Sequence, residues 1–290
     1  MRNADTLRSN PPRHLRRAEL QAYARNWHGE WPVGYCQYRP EEHSLWREVH
    51  DALAPAQAVA ASRRYLGARR RLSLCRTRLP QMATLNRNLT RASGFRMAPS
   101  MGGVAPSEFF HWLSRAIFMA TLDLRDPETP LVTREPDYIH EVMGHGIMLA
   151  DPTYAAISQS LAIAAEALQR MGASLERQAR IERVYWYTME TGLVREEGET
   201  RAFGAALLSS VRALESIAEH APRSLTLDEA AERPFTYSDL QSAHYVCDDL
   251  DLLHDRIAAW LSRELLAARI ELSERESRPA PEPSAVGDER

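Results

Sequence analysis

Apolar residues recur at helical spacing along most of the chain. In "YRPEEHSLWREVHDAL", which starts at residue 38, Leu45, Val49 and Leu53 follow one another at intervals of four, behind Pro40 at a helix-entry position. The segments 154–173 and 174–194 have the same pattern, and each contains a glycine stop, at Gly172 and Gly192. The sequence therefore predicts helices in all three segments. A fourth, long helix is predicted by an apolar stripe of Leu250, Leu253, Ile257, Trp260 and Leu261.

Strand-like runs are few and short, and "PLVTRE" at 130–135 is the best of them. The pattern predicts a mainly α protein, α+β by strict count, with a single helical domain over residues 37–272. Residues 1–36 contain "NPPRHLRR" and are predicted to be a loosely ordered, arginine-rich leader. Residues 273–290 are polar and rich in proline, which predicts a disordered tail.

Composition narrows the classes of function. The formal charge of -3 over 290 residues gives no electrostatic reason to expect nucleic acid or an anionic membrane as partner, and no run approaches the roughly 18 apolar residues of a membrane span. We expect a cytoplasmic monomer or small homo-oligomer with a small-molecule partner. All 36 basic residues are arginine, which excludes mechanisms that need a Schiff-base or P-loop lysine. Three widely spaced cysteines indicate neither a disulfide framework nor a cysteine zinc site.

Seven arginines lie within residues 63–78. They are consistent with an anion-binding patch, although a solvated basic helix face has the same sequence pattern.

The stretch "PDYIHEVMGHGIML" holds His140, Glu141 and His145. A zinc protease of the H-E-x-x-H type needs its second histidine at position 144, which is a glycine here. Residues five apart on an ideal helix are turned by about 140°, so two such histidines bind one ion only where the helix ends or deforms between them. Gly144 is expected to supply that break by ending the helix in a left-handed conformation. Two ordinary, partly buried histidines near a helix end are the alternative.

A third ligand is predicted in "RVYWYTMETGL". Glu190 lies in the most aromatic window of the chain, and a buried carboxylate is costly unless it is paired or coordinated. An exposed glutamate on the polar face of the helix is the alternative. Two histidines and a carboxylate form a facial triad, which suits non-heme Fe(II) that must bind O2.

Three blocks in register, "EPDYIHEVMGH", "RVYWYTMETGL" and "RAFGAALLSS", resemble the catalytic domain of the pterin-dependent aromatic amino acid hydroxylases. The resemblance extends from about residue 38 to 255 and is to the short bacterial, phenylalanine hydroxylase-like form. It implies a catalytic domain of that family's fold, Fe(II), a tetrahydropterin (tetrahydrobiopterin or a related pterin) and O2 as co-substrate. By position, the catalytic iron ligands are His140, His145 and Glu190.

The resemblance also implies the amino acid site. Arg125 matches the arginine that binds the substrate carboxylate, a task suited to the two parallel donors of a guanidinium. Thr133, Asp137 and Ser209 match the positions that complete this clamp, Asp137 by holding the arginine. Trp186 matches the tryptophan of the pocket in members that act on phenylalanine or tyrosine.

The pterin site is implied in the same way. Phe109 matches the ring that stacks on the pterin, Glu141 matches the glutamate that binds it, and Val104 lies in the loop that lines the site. Without the resemblance, Phe109 would be read as a core residue.

Three positions depart from the family. Tyr237 replaces a valine or aspartate of the amino acid pocket, Thr191 follows the iron ligand where phenylalanine is usual, and Met119 replaces a histidine near the pterin. We expect an enzyme that hydroxylates the aromatic ring of a free L-amino acid, with phenylalanine as the leading candidate substrate. A large residue at 237 with a small one at 191 could tilt the ring, so another ring position, or a substituted phenylalanine, tyrosine or tryptophan in a biosynthetic pathway, is the alternative. A zinc hydrolase with Glu141 as base, and a catalytically silent binding protein, are the alternatives of other classes.

Overall fold

The computed structural model describes residues 13–132, 136–219, 221–236 and 243–277. The helices there are α1 (Arg13–Arg25), α2 (Pro40–Ala60), α3 (Arg63–Leu72), α4 (Met82–Ala92), α5 (Pro106–Leu113), α6 (Tyr138–His140), α7 (Pro152–Arg170), α8 (Leu175–Tyr185), α9 (Ala205–Leu208), α10 (Val211–Ser216), α11 (Leu227–Glu232) and α12 (Leu250–Glu276). Two π-helical turns, Glu141–Gly146 and Trp186–Glu190, follow α6 and α8 directly.

Helix α7 forms the centre of the core, where it packs against α5, α8 and α12. Its start is fixed by Asp151, whose side chain accepts hydrogen bonds from the N–H groups of Thr153 and Tyr154. Tyr154, Ile157 and Leu161 are fully buried along its inner face. Helices α2, α7, α8 and α12 confirm the four helical patterns of the sequence, and the fold is mainly helical as predicted.

Two small sheets complete the fold. Strands β1 (Arg96–Ser100) and β2 (Ile117–Thr121) pair in parallel and end together at Ser100 and Thr121. A second sheet has the order β4 (Glu199–Ala202), β3 (Leu193–Glu196), β6 (Tyr245–Cys247), β5 (Arg223–Ser224). The strand predicted at 130–135 is absent from residues 130–132, which form a turn and a loop, and its remaining residues lie outside the described part.

The prediction of a loosely ordered leader was wrong from residue 13 onward. Helix α1 docks on α2 through Arg16, whose Nε donates to Glu42 Oε1 at 2.6 Å, and Leu20 is 4% exposed. Glu42 also accepts from the Arg39 N–H at 2.8 Å, so it caps α2 and binds α1 with one carboxylate. The predicted tail also starts too early, because α12 continues to Glu276; residues 278–290 lie outside the described part.

Most arginines of segment 63–78 are engaged with acidic or carbonyl partners. Arg64 pairs with Asp251 and contacts Asp151, and Arg76 donates twice to Asp51. These contacts favour an ion-paired helix surface over an anion-binding patch. Among the described residues, no helix is both long and apolar enough to cross a membrane.

Candidate metal centre and its cavity

A π-helical turn brings the two histidines together. The Ile147 N–H bonds to the Val142 carbonyl, five residues back, and this wider turn places His140 and His145 on one side with ring centroids 5.1 Å apart. The expected left-handed helix end at Gly144 was wrong, because Gly144 lies within the turn and its φ is not positive. Glycine is needed there for space: a Cβ would lie 2.6 Å from the Ala205 carbonyl oxygen.

A second π-helical turn presents Glu190. The Thr191 N–H bonds to the Trp186 carbonyl at 3.0 Å, again five residues back. Glu190 Oε1 lies 3.0 Å from His145 Nε2, and Oε2 lies 4.0 Å from His140 Nε2. Metal–ligand bonds of about 2.1 Å at right angles separate neighbouring ligand atoms by about 3 Å, which the contact to His145 matches and the contact to His140 exceeds. The three side chains are therefore candidates to share one ion.

Hydrogen bonds behind the histidines engage both Nδ1 atoms, and both Nε2 atoms are the ring nitrogens nearest Glu190. His140 Nδ1 lies 2.8 Å from Ser209 Oγ, whose own proton goes to the Ala205 carbonyl at 2.9 Å. His145 Nδ1 lies 3.4 Å from the Tyr154 hydroxyl, which donates to the Met189 carbonyl at 2.9 Å. Each hydroxyl is therefore an acceptor for an Nδ1–H, which assigns the tautomer that ligates through Nε2.

Glu141 is a second carboxylate beside the histidines, since ligand-type atoms of His140, Glu141 and His145 lie within 4.8 Å of one another. Burial raises the pKa of Glu141 to about 8, and its Oε1 accepts from the Thr121 N–H at 3.3 Å. Burial would also raise the pKa of Glu190, but the adjacent histidines outweigh it and lower that pKa. Glu190 is therefore the better anionic ligand, and Glu141 is better suited to hydrogen bonding.

Burial and neighbouring charges also shift the pKa values of the two histidines. Burial, helped by the nearby His145, lowers the pKa of His140 to about 4, so this ring is neutral at pH 7. Burial alone would lower the pKa of His145 as well, but the Glu190 carboxylate outweighs it and raises that pKa. A cation bound beside Glu190 would compete with a proton for His145 Nε2, because a metal ligand must be neutral imidazole.

The three ligands lie at one side of a cavity of about 530 Å³, a size typical of sites for small ligands. Its walls are largely aromatic. Phe109 packs edge-to-face on Phe118 and Tyr185, and Trp186 stacks on Phe235 with ring centroids 4.7 Å apart. The sequence-predicted residues that line this cavity are His140, His145, Glu190, Glu141, Phe109, Val104, Trp186 and Met119.

Arg125 is held by a bidentate ion pair. Its Nε and Nη2 each donate to Asp137 at 2.8 Å, and Nη1 donates to the Pro130 carbonyl at 3.3 Å. Asp137 also accepts from the His140 N–H at 2.9 Å and so caps α6, the helix that leads into the metal site. Both side chains are almost fully buried. This pair matches the predicted relation of Asp137 to Arg125, although neither residue is among those lining the cavity.

Two predicted clamp or pocket residues are placed elsewhere. Ser209 contacts His140 rather than Arg125, because its hydroxyl is fixed between the Ala205 carbonyl and the ring. The Thr191 hydroxyl bonds to the Trp186 carbonyl at 3.0 Å and is buried outside the cavity lining. Thr133 and Tyr237 lie outside the described residues.

Sequence reasoning missed several residues of the site. Phe118 lies against the His145 ring, with centroids 4.5 Å apart, and Phe235 forms the stack with Trp186. Tyr154 orients His145 from α7. Phe118 lies in the short β2 strand, whose continuous apolar run does not indicate which side chains face the site. No sequence signal pairs Phe235 or Tyr154 with the site, because Phe235 reaches Trp186 from a distant segment and Tyr154 reaches His145 from a separate helix.

The fold and the site together define a helical domain in which two histidines and nearby carboxylates form a candidate metal centre beside an aromatic cavity. Residues 9–270 match the family model of the biopterin-dependent aromatic amino acid hydroxylases. The chain belongs to this family, which confirms the resemblance inferred from its sequence blocks.

Relatives within the family differ in substrate. The chain is 34% identical to tyrosine 3-monooxygenase of Rattus norvegicus over 81% of its length, but it spans only 47% of that protein. It is 30% identical to phenylalanine 3-hydroxylase of Streptomyces coeruleorubidus, with 85% of this chain and 87% of the relative covered.

Solved structures share the fold. One, of Chromobacterium violaceum phenylalanine hydroxylase with bound iron(III) and 7,8-dihydrobiopterin, matches with a TM-score of 0.73 at 23% identity, over 89% of this chain and 94% of that one. Phenylalanine hydroxylase of Legionella pneumophila matches with a TM-score of 0.72 at 24% identity, over 81% and 92%.

Proposed function

We propose that the protein is an Fe(II)- and tetrahydropterin-dependent monooxygenase that hydroxylates the ring of free L-phenylalanine. The observation that carries this proposal is the triad of His140, His145 and Glu190 at the side of an aromatic cavity, with both imidazoles held in the ligating tautomer. Bound Fe(II) and pterin would supply the activation of O2, and O2 itself is the source of the oxygen atom added to the ring. The chain's own residues would bind and orient the amino acid and the pterin, and would exclude water from the cavity.

The cavity offers separate places for the two organic molecules. Phe109, with Tyr185 at its edge, presents a flat wall for the pterin, and Glu141 offers a carboxyl group on the metal side. Trp186, braced by Phe235, forms a second aromatic wall for the amino acid ring. Held between such walls, a ring carbon faces the metal in a fixed orientation, which is the condition for a single product.

Arg125 is proposed to bind the substrate carboxylate. A guanidinium has five N–H donors, and three of those of Arg125 are used by Asp137 and the Pro130 carbonyl. Two N–H groups, one on each terminal nitrogen, remain for a carboxylate. The rigid Asp137 pair would hold them in position, and Thr133 is proposed to complete the clamp.

A second candidate is hydroxylation at another ring position, such as C3. The Streptomyces coeruleorubidus relative, named as a phenylalanine 3-hydroxylase, matches nearly end to end, and Thr191 leaves the ligand helix without a large ring after Glu190. The proposed role of Tyr237 in setting the position of the ring is part of this candidate.

Product analysis tests the proposal. Protein loaded anaerobically with Fe(II) is mixed with tetrahydrobiopterin, O2 and, in turn, phenylalanine, tyrosine and tryptophan, and the products are identified by chromatography against each hydroxylated standard. We expect an O2- and pterin-dependent tyrosine isomer from phenylalanine. A tyrosine with its hydroxyl at C3 selects the second candidate, and a changed ratio in Tyr237→Val supports the role of that residue. No hydroxylated product from any of the three, with iron bound, contradicts the proposed reaction.

The metal content of the protein distinguishes the proposed monooxygenase from a zinc hydrolase. Metal content of protein isolated without oxygen should show iron, because an open facial triad suits Fe(II) that binds O2. Zinc alone, with amide or ester hydrolysis that depends on Glu141, would favour the hydrolase.

A further inference from the structure

Glu182 places a carboxylate in the wall of the aromatic cavity. It lies on α8, three residues before Tyr185 and four before Trp186, and all three line the cavity. Residues at these spacings share one face of a helix, so α8 presents an acid and two rings to the same space. Glu182 is half-buried, and this burial raises the pKa of its carboxyl group above the usual value.

The carboxylate of Glu182 has no hydrogen-bond or ion-pair partner among residues 13–132, 136–219, 221–236 and 243–277. The neighbouring Arg183 is committed elsewhere: its Nη1 donates to Glu176 at 2.6 Å and to the Ala231 carbonyl at 2.9 Å. Arg177 and Arg180 on the same helix are paired with Glu264. A half-buried acceptor that the protein leaves unsatisfied is suited to a donor on a ligand.

Position along the helix indicates which part of a ligand Glu182 meets. It precedes the metal ligand Glu190 by eight residues, or about 12 Å of helix rise, so it is remote from the reacting end of the cavity. It precedes Tyr185 by one turn, and Tyr185 contacts Phe109 with ring centroids 5.5 Å apart. A flat ring against Phe109 would therefore direct its outer substituent towards Glu182.

We propose, resting on the function proposed above, that Glu182 accepts hydrogen bonds from the hydroxyl groups on the side chain of the pterin and so selects a hydroxylated pterin. The ammonium group of the amino acid is the other possible source of such a donor. The pterin is favoured because Glu182 lies one helical turn before Tyr185, which packs on Phe109, the wall proposed above for the pterin.

Binding measurements test this proposal without turnover. Dissociation constants for 7,8-dihydrobiopterin and for 6-methyl-7,8-dihydropterin, which share the bicyclic ring but differ in side-chain hydroxyls, are measured by anaerobic calorimetry. The proteins are wild type, Glu182→Ala, Glu182→Gln, and Leu175→Ala as a control on the same helix. Leu175 is a suitable control because it is 83% exposed and does not line the cavity.

Wild type should prefer 7,8-dihydrobiopterin. In Glu182→Ala, its affinity should fall about tenfold while that for the methyl compound changes less than about twofold, because only the hydroxylated ligand loses a hydrogen bond to a charged group. Glu182→Gln, which keeps the shape and one acceptor, should show a smaller loss, and Leu175→Ala should match wild type.

Three outcomes would overturn the assignment: equal loss for both pterins in Glu182→Gln and Glu182→Ala, no loss for either, or a loss confined to phenylalanine binding in a parallel titration. Failure of wild type to bind either pterin would instead contradict the proposed function.

Discussion

Replacing Gly144 with alanine tests whether close packing against α9 holds the π-helical turn Glu141–Gly146 in place. The added Cβ would lie 2.6 Å from the Ala205 carbonyl oxygen, 2.8 Å from its Cβ and 2.9 Å from its Cα. Because two of these are backbone atoms, α9 or the turn must move. Overpacking of this kind costs about 1–3 kcal/mol, and the usual gain of alanine over glycine in a helix offsets about 0.5–1 kcal/mol.

The net loss should be about 1–2 kcal/mol, which corresponds to a fall in Tm of about 2–8 °C for a domain of this size. Thermal unfolding of the metal-free protein measures it directly. Because His140 and His145 flank Gly144, displacement of the turn should also weaken Fe(II) binding about tenfold or more, as measured by anaerobic titration.

Gly67→Ala is the matched control. Gly67 is inside α3, and its Cβ would meet only the guanidinium ends of two arginines, the nearer at 3.6 Å. This change should leave Tm unchanged or raise it slightly. Adding Ala205→Gly to Gly144→Ala should restore stability only in part, because the backbone contacts persist. If Gly144→Ala unfolds at or above the wild-type temperature and binds Fe(II) normally, the packing argument is incorrect.

Three further changes probe the rest of the site and the core. Ser209→Ala should reduce Fe(II) affinity about 10- to 100-fold with little change in Tm, since it removes the acceptor that orients His140; equilibrium dialysis measures this. Asp137→Ala should cost about 3–5 kcal/mol in chemical denaturation because it leaves the Arg125 guanidinium buried and unpaired, whereas Asp137→Asn should cost less. Glu264→Ala should cost up to about 3 kcal/mol, because it removes the shared acceptor of two arginines that link α8 to α12.

Each of these has an outcome that contradicts it. Unchanged iron affinity in Ser209→Ala would show that the hydroxyl does not set the imidazole tautomer. A stability of Asp137→Ala within about 1 kcal/mol of wild type would show that Arg125 finds another partner or reaches water. A wild-type denaturation midpoint in Glu264→Ala would show that the ion pairs of Glu264 do not stabilise the contact between α8 and α12.

The sequence predicted what depends on local periodicity and on residue chemistry. The long helices follow from apolar spacing, and His140, His145 and Glu190 were selected because their side chains suit one metal. The π-helical turns could not be predicted from the sequence. The pattern of residues 136–149, for example, is equally consistent with an α-helix that ends at Gly144. Helix α1 was missed because its sequence is polar and its order depends on the distant Glu42.

Contacts between remote segments account for the other differences. Ser209 follows the π-helical turn Glu141–Gly146 by more than 60 residues. Only the packing of α9 on that turn brings the Ser209 hydroxyl to the His140 ring. The Phe235 stack on Trp186 depends in the same way on how the loop after α11 returns to α8. Such contacts leave no periodic signal in the sequence.

Both π-helical turns place one extra residue in a helical segment at the point where a ligand is presented. An extra residue advances the phase of everything that follows by about 100°. Deleting a single residue from the first turn, even one that is not a ligand, would therefore rotate the residues that follow it and expose side chains that are now buried, such as Ile147 and Met148. The buried side chains face the core only when the extra residue of the π-helical turn is present. A deletion that separates the two histidines would therefore also disrupt the packing of the core.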